Sequence, residues 1–248
     1  MIEVKNIHKT FGTNHVLQGI SAEFLAGKCN LIIGGSGSGK TTLLKCMVGL
    51  HQPEEGSVIY DGRDFTRMNF ESRIEIRTEI GMLFQGSALF DSMNVEDNIM
   101  FPLNMFTHQS HKEKLERVNF CLERVNLSGK NKLFPAELSG GMKKRVGIAR
   151  AIAMNPKYLF VDEPNSGLDP KTALVIDELI QELTVEYGST TVVVTHDMNS
   201  VMGIGENIIF LHDGKKWWEG SKEQIAETDN KELNDFVFAS KFMQALKK

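Results

Sequence analysis

Apolar and polar positions alternate along residues 2–25, around a turn signal at Gly12-Thr13-Asn14. A period of two is typical of half-buried β-strands, so this stretch predicts two or three antiparallel strands. Farther along, short apolar runs predict strands at residues 28–33, 57–60 and 80–84. Residues 42–50 are predicted to form a helix that ends near Gly49.

The pattern changes between about Gly86 and Asn155, where β-branched runs are rare and a polar stretch at residues 111–125 has apolar positions at helical spacing. We interpret residues 86–155 as a helical insertion. Strands and helices alternate after it, which favours an open, mostly parallel sheet with helices on both faces. The predicted elements are strands at 158–161, 190–195 and 208–211, helices at 170–187 and 198–202, and an amphipathic helical tail at 222–248.

Composition excludes several classes of protein. The 248 residues carry a net charge of −4, which shows no basic excess for nucleic acid. No apolar run approaches the ~20 residues that span a bilayer, and the N-terminus lacks a signal-peptide pattern, so we expect a cytoplasmic chain. Cys29, Cys46 and Cys121 form no metal-binding or disulfide pattern and are expected to be buried thiols.

A glycine-rich segment follows the strand predicted at 28–33 and precedes a helix. It fits the phosphate-loop pattern GxxxxGK[ST], in which backbone N–H groups and the helix dipole bind phosphate oxygens. Lys40 is expected to reach the β- and γ-phosphates of ATP, and the Thr41 hydroxyl to bind Mg²⁺. The predicted nucleotide-binding residues are Gly34, Gly35, Ser36, Gly37, Ser38, Gly39, Lys40, Thr41 and Thr42.

Polar residues directly follow three of the other predicted strands. Asp162 and Glu163 follow residues 158–161, Gln85 follows 80–84, and His196 ends 190–195. We expect Asp162 to hold Mg²⁺, Glu163 to polarise the attacking water, Gln85 to position water or Mg²⁺, and His196 to bond the γ-phosphate. Each alone is also compatible with a structural role.

The segment Leu138-Ser139-Gly140-Gly141-Met142 precedes a basic amphipathic helix. Ser139 is a good N-cap, and the glycines expose N–H groups, which indicates a second anion site. An ordinary helix cap is the alternative.

Six elements in one order resemble the nucleotide-binding subunit of an ATP-binding cassette (ABC) transporter. They are Phe11, the phosphate loop, Gln85, LSGGM, FVDE with Asn165 to Asp169, and His196. The resemblance implies an α/β fold with a P-loop NTPase (RecA-like) core and mostly parallel sheet, an N-terminal antiparallel β subdomain and an inserted α-helical subdomain. The core would comprise residues 1–85 and 156–220, the helical subdomain 86–155 and the tail 221–248, in one ATPase domain.

The resemblance also implies residue roles. Phe11 would stack on adenine, and Ser139, Gly140 and Gly141 would bind the γ-phosphate of ATP held by a second copy. Asp169 would lie at the interface of this head-to-tail homodimer, which would drive membrane permease subunits from the cytoplasmic face of the inner membrane.

Met142 stands where most transport ATPases carry Gln. Together with residues 83–103, this departure looks like the ATPases of bacterial phospholipid transporters that work with mammalian-cell-entry (MCE) proteins. Phe90, Met93 and Phe101 are expected to line a permease-docking groove, or else to pack the insertion's own core. Trp217, Trp218, Phe236, Phe238 and Phe242 would bind a small accessory protein, help dimerise the chain, or simply cover the domain edge.

Three alternatives differ in kind. An importer for amino acids, ions or lipoproteins would share the same cassette. A soluble ABC ATPase acting on DNA or ribosomes would usually carry two cassettes or long insertions. A regulatory cassette that binds ATP without hydrolysing it conflicts with intact Lys40, Asp162, Glu163 and His196.

Overall fold

Two β-sheets share a core in the computed structural model, which describes residues 1–238. One sheet is antiparallel with strand order β2-β1-β4-β5, and the other has the order β10-β9-β3-β8-β7-β6. The strands are β1 (Ile2–Phe11), β2 (Asn14–Phe24), β3 (Cys29–Ile33), β4 (Glu55–Tyr60), β5 (Arg63–Asp64), β6 (Ile80–Leu83), β7 (Tyr158–Asp162), β8 (Thr190–Val194), β9 (Asn207–His212) and β10 (Lys215–Gly220).

The helices lie between and around these sheets. A short 3-10 turn spans Pro135–Glu137. The α-helices are α1 (Lys40–Met47), α2 (Phe70–Thr78), α3 (Val95–Phe106), α4 (His111–Arg124), α5 (Gly140–Ile152), α6 (Pro170–Tyr187), α7 (Met198–Ile204), α8 (Lys222–Glu227) and α9 (Lys231–Val237).

The predicted fold class is confirmed. Strands β9, β3, β8, β7 and β6 run parallel, and only β10 pairs antiparallel within the larger sheet. The central strands β3, β7 and β8 are buried at every position, because both faces of the sheet are covered. In β8, for example, Val193 packs into the core beside the helical segment, whereas Val192 and Val194 pack into the core shared with the antiparallel sheet.

Several predicted elements change in detail. Helix α1 begins two residues early, at Lys40, because Gly39 serves as its N-cap with φ 100°, a conformation that glycine tolerates. The tail is two short helices, α8 and α9, and its predicted part beyond residue 238, with Phe242, lies outside the described residues. Strands β5 and β10 and helix α2 were not predicted. The proposed division into core and helical subdomains stays a prediction.

The three cysteines are free and buried, as expected, and burial raises the pKa of each thiol to about 11. No helix within residues 1–238 combines the length and apolar character that crossing a bilayer requires.

A buried amide fixes the start of β3, the strand that leads into the phosphate loop. The Asn30 side chain is fully buried, and its Nδ2 donates to the carbonyls of Leu25, Lys28 and Thr191 at 2.9–3.0 Å. Its Oδ1 accepts from the Leu25 N–H at 2.6 Å and from Asn207 Nδ2 at 3.1 Å. One side chain therefore joins the turn before β3 to strands β8 and β9.

Asn30→Ala is expected to lower the free energy of unfolding by about 2–4 kcal/mol, because it leaves several buried polar groups without partners. The matched control is Asn104→Ala, since Asn104 is an exposed amide on α3 that bonds only the Lys114 ammonium. The control should change stability by no more than about 0.5 kcal/mol. Urea unfolding measures both, and equal losses would contradict the role of the buried network.

Candidate active site

The carboxyl ends of four adjacent parallel strands meet at one edge of the larger sheet. In lateral order they are β3, β8, β7 and β6. The phosphate loop follows β3, His196 follows β8, Glu163 follows β7 and Gln85 follows β6. Because neighbouring strands lie about 4.8 Å apart, this order brings the predicted groups along a line of roughly 14 Å.

The phosphate loop is built from backbone that approaches its neighbours closely. A Cβ on Gly34 would lie 2.2 Å from the Leu211 carbonyl oxygen, so only glycine fits there. The Lys40 ammonium turns back onto its own loop and donates to the carbonyls of Gly34 at 2.8 Å and Gly35 at 2.9 Å. Ser38 Oγ is buried and has no partner among the described residues.

This arrangement suits a polyphosphate. Lys40 is nearly buried, and burial lowers the pKa of its ammonium while Glu163 and Asp162 oppose that shift. Free N–H groups at the start of α1 and the positive end of the helix dipole face the same loop. An anion bound in the loop would pair with the buried Lys40 ammonium. It would also accept a hydrogen bond from the Ser38 hydroxyl, which has no partner among the described residues.

Two oxygen ligands suited to Mg²⁺ lie together beside this loop. Thr41 Oγ1 donates to Asp162 Oδ1 at 3.4 Å, a weak bond between a hydroxyl and a carboxylate at the end of β7. Asp162 is nearly buried, and burial together with the adjacent Glu163 raises the pKa of its carboxyl. A hard cation would relieve that unfavourable buried charge, so these residues fit the predicted metal.

The side chains of Glu163 and His196 contact each other beyond the ends of β7 and β8. His196 Nδ1 lies 2.8 Å from Glu163 Oε2, and the glutamate side chain is 12% exposed, whereas the imidazole is 66% exposed. Glu163 has a left-handed backbone with φ 48°, and its N–H donates to the Val194 carbonyl at 2.9 Å. The Glu163 carboxylate therefore lies beside the His196 imidazole at the end of the sheet.

Gln85 and Phe11 are both exposed, as groups that meet a ligand would be. Phe11 ends β1, contacts the His51 ring edge-on with centroids 5.3 Å apart, and has the Lys9 ammonium 5.2 Å from its ring. Gln85 begins the loop after β6, and its carbonyl accepts from the Lys144 ammonium. Their roles toward adenine and water stay predictions.

The second anion-binding segment begins α5. Ser139 and Gly140 are exposed, and Ser139 Oγ caps the helix by accepting from the Met142 N–H at 3.3 Å. A Cβ on Gly141 would meet Thr172 Cγ2 at 2.7 Å, so this helix start lies against the beginning of α6. Asp169 is exposed and caps α6 through Thr172, with which its carboxylate forms two hydrogen bonds.

A buried carboxylate that the sequence did not reveal lies where the loop after β7 meets α7. Asp177 on α6 is 3% exposed and accepts from Asn165 Nδ2 at 3.0 Å. Asn165 Nδ2 also donates to Ser200 Oγ on α7 at 2.9 Å. Helical periodicity assigns Asp177 no special position, so only the fold shows that it bonds the loop that carries Glu163 close to α7.

An apolar groove of about 390 Å³ lies along the edge strand β6, between α3 and α5. Phe90 and Phe101, predicted to line it, face each other with ring centroids 4.8 Å apart, and the Arg150 guanidinium lies 5.9 Å from the Phe90 centroid. Met93 is half-buried and lines none of the walls that the described residues form.

Comparison with known proteins identifies relatives. A family model described as ABC transporter matches residues 17–166. The probable ribonucleotide transport ATP-binding protein mkl of Mycobacterium leprae is 37% identical over 95% of this chain and 68% of its own length. The methionine import ATP-binding protein MetN of Campylobacter jejuni is 38% identical over 98% of this chain and 77% of its own length.

A phospholipid-transport relative matches over nearly its full length. The intermembrane phospholipid transport system ATP-binding protein MlaF of Haemophilus influenzae is 38% identical over 96% of this chain and 90% of its own length. Among solved structures, the cassette MJ0796, in a dimeric post-hydrolysis state bound to ADP and Pi, superposes with a TM-score of 0.82 at 34% identity. That match covers 89% of this chain and 98% of the other.

Asp177 predicts a pH dependence of stability. Burial raises the pKa of its carboxyl from 3.8 to about 6, against the hydrogen bonds from Ser200 and Asn165 and with a further contribution from Asp197. Between these values the folded chain holds a proton that the unfolded chain has lost. The stabilisation is therefore fully present below about pH 4 and lost as the pH rises through 6.

Relative to Asp177→Asn, the wild type should thus gain about 2 kcal/mol of unfolding free energy as the pH falls from 7 to 4.5. Urea unfolding at several pH values measures the difference. Asp91→Asn, at an exposed aspartate, is the control and should show no comparable trend. A constant difference between wild type and Asp177→Asn across this range would contradict the prediction.

Proposed function

This chain belongs to the ABC transporter family, as an ATP-hydrolysing subunit of a transport system, and from that premise we propose that it powers phospholipid movement between bacterial membranes. It does so as a head-to-tail homodimer that closes over two ATP molecules and opens after hydrolysis. The observation that carries the proposed hydrolysis is the convergence of the phosphate loop, Glu163, His196 and Gln85 at one edge of the sheet.

The proposed site binds ATP through the loop from Gly34 to Thr42. Lys40 leaves the carbonyls of Gly34 and Gly35 and pairs with the β- and γ-phosphates. Thr41, Asp162 and Gln85 would hold Mg²⁺, which, when bound, neutralises charge on the phosphate oxygens. Phe11 covers the adenine from the end of β1.

Hydrolysis uses the carboxylate at the end of β7. Glu163 orients a water molecule for in-line attack on the γ-phosphorus and accepts its proton, while the bond from that phosphorus to the ADP oxygen breaks. His196, in contact with the Glu163 carboxylate, fixes its direction and bonds the γ-phosphate. The products are ADP and inorganic phosphate.

A second copy completes each site. Ser139, Gly140 and Gly141 present a capped helix start whose close neighbours are Leu168 and Thr172, at the beginning of α6. Because Ser139 and Gly140 are exposed, they are available to the γ-phosphate held by another chain. The exposed Asp169 then lies at the same interface. The dimeric ADP-bound structure of MJ0796 supports this arrangement.

Membrane subunits would dock in the groove beside β6. Its Phe90 and Phe101 rings offer an apolar surface for a helix of a permease, and it adjoins the loop that begins with Gln85. This docking would hold the chain on the cytoplasmic face of the inner membrane. An MCE-type lipid-binding protein, and a small accessory protein at the C-terminal segment, would complete the complex.

Phospholipid is the proposed cargo because the match to MlaF is the most nearly end to end of the three relatives, at 90% of that protein's length. The segment from Leu83 to Leu103 and Met142 support the same subfamily. Met142 takes part in the helix cap through its backbone N–H, which a Gln at this position would also supply. The alternative is an importer for another solute, which the match to MetN favours.

Glu163→Gln should lower turnover by about 100-fold or more, because an amide cannot accept the proton from water. With hydrolysis blocked, ATP should hold the chain as a dimer, which size-exclusion chromatography with light scattering detects. Adding Ser139→Arg to this variant should abolish the dimer while each chain still binds ATP. Wild-type turnover in Glu163→Gln would exclude Glu163 as the base.

The cargo is tested with the complex purified from native membranes through a tag on this chain. We expect permease subunits, an MCE-type protein and bound phospholipid, identified by mass spectrometry. Phe90→Asp should release the chain from the complex, since it places a charge in the groove. Phe70→Asp is the control, because Phe70 is 72% exposed on α2 outside the groove. A co-purifying amino-acid-binding protein would overturn the phospholipid assignment.

A further inference from the structure

A lysine ammonium is buried between the two loops that carry Gln85 and Glu163. Lys144, in the second turn of α5, is 5% exposed. Its Nζ donates to the backbone carbonyl of Gln85 and, at 3.1 Å, to the backbone carbonyl of Glu163. Burying a charge is unfavourable unless it is well hydrogen-bonded, so these two carbonyls are the reason the ammonium can remain there.

One of these bonds is made to the residue whose backbone most needs support. Glu163 is a non-glycine residue with φ 48°, a conformation that costs on the order of 1 kcal/mol or more and persists only when neighbouring groups hold it. Its N–H donates to the Val194 carbonyl, and its carbonyl accepts from the Ser166 N–H at 3.3 Å and from Lys144. Of these three hydrogen bonds, only the one from Lys144 comes from the helical insertion at residues 86–155.

The hydrogen bond from Lys144 to the Gln85 carbonyl is part of a continuous contact between α5 and the loop after β6. Arg150 donates to the carbonyls of Ser87 and Ala88, both at 2.7 Å, and these two residues also have positive φ. Between the two cations, a Cβ on Gly147 would lie 2.6 Å from Leu83 Cδ1. Residues 144, 147 and 150 share one face of the helix, which therefore holds this loop along its length.

We propose that Lys144 is a positioning residue for ATP hydrolysis, which holds the Gln85 loop and the Glu163 backbone in fixed relation to each other and to the start of α5. This inference rests on the roles proposed above for Glu163 and Gln85. Since Ser139 is the N-cap of α5, the helix that would bind one ATP of the dimer is tied by Lys144 to the hydrolytic residues of the other.

The direct test compares Lys144→Met, Lys144→Gln and Lys143→Met in steady-state ATP hydrolysis. Methionine keeps an unbranched apolar stem but removes the donors, so kcat should fall by about tenfold or more while KM for ATP changes less than about threefold. Glutamine restores a neutral amide donor group at this position and should restore part of kcat. Lys143→Met removes the same charge from a half-buried neighbour on α5 and should leave kcat near wild type.

A merely structural lysine would give a different result. It would lower the melting temperature, with kcat per folded molecule unchanged, and that outcome would overturn the proposal. If Lys144→Met does not fold, Lys144→Gln decides by the same criterion: kcat should fall about threefold or more at an unchanged KM.

A double-mutant cycle identifies the group through which Lys144 acts. In the Glu163→Gln background, Lys144→Met should change the residual single-turnover rate by less than about twofold, because its effect requires the glutamate. An equally large loss in that background would overturn the proposal. Wild-type turnover in Glu163→Gln alone would refute the role of Glu163 itself. If Glu163→Gln lowers turnover as expected but Lys144→Met hydrolyses ATP at the wild-type rate, only the role of Lys144 is refuted.

Discussion

Strand β7 is paired on both sides, and the position of every proposed hydrolytic group depends on that pairing. Leu83 of β6 pairs with Val161, and Val194 of β8 pairs with Asp162. The Glu163 N–H then donates to the Val194 carbonyl, which ends the strand and starts the left-handed turn. A shift of one residue would send Asp162 and its neighbours to the opposite faces of the sheet. The apolar cores on both faces prevent such a shift, so core packing fixes the geometry of the polar edge.

The same edge contains the least favourable local features of the structure. Glu163 has a positive φ, and Lys144, Asp162 and Asp177 are charged groups with little exposure. Burial lowers the pKa of the Lys144 and Lys40 ammonium groups and raises that of both aspartates. The two apolar cores supply the stability that offsets these unfavourable features. Strands β3, β7, β8 and β9 contribute side chains to both cores. Strain and buried charge at a site held by a rigid scaffold are typical of functional positions.

The sequence predicted the parts of this arrangement that follow from local chemistry. The phosphate loop was recognisable from its glycines and Lys40, and the strand ends followed from apolar runs that stop at polar residues. Lys144 and Asp177 could not be found in this way, because each lies on an amphipathic helix where a charge usually faces solvent. Only the packing of α5 and α6 against the sheet turns these two side chains inward. Helix α2 was missed since its nine residues bury only Ile76, and β10 since five of its six positions carry charged or aromatic side chains with no regular alternation.

In the proposed function, helix α5 connects the ATP-binding interface of the dimer to the loops after β6 and β7 and to the groove beside β6. The N-terminus of α5 offers Ser139 to solvent, whereas Lys144 and Arg150 bond the loops after β6 and β7. Arg150 and Phe90 also line the groove beside β6. All three places belong to or contact the same helix, and at Gly147 it approaches Leu83 so closely that no side chain would fit between them. In the proposed function, a partner seated in the groove would therefore act on hydrolysis through α5 without touching ATP.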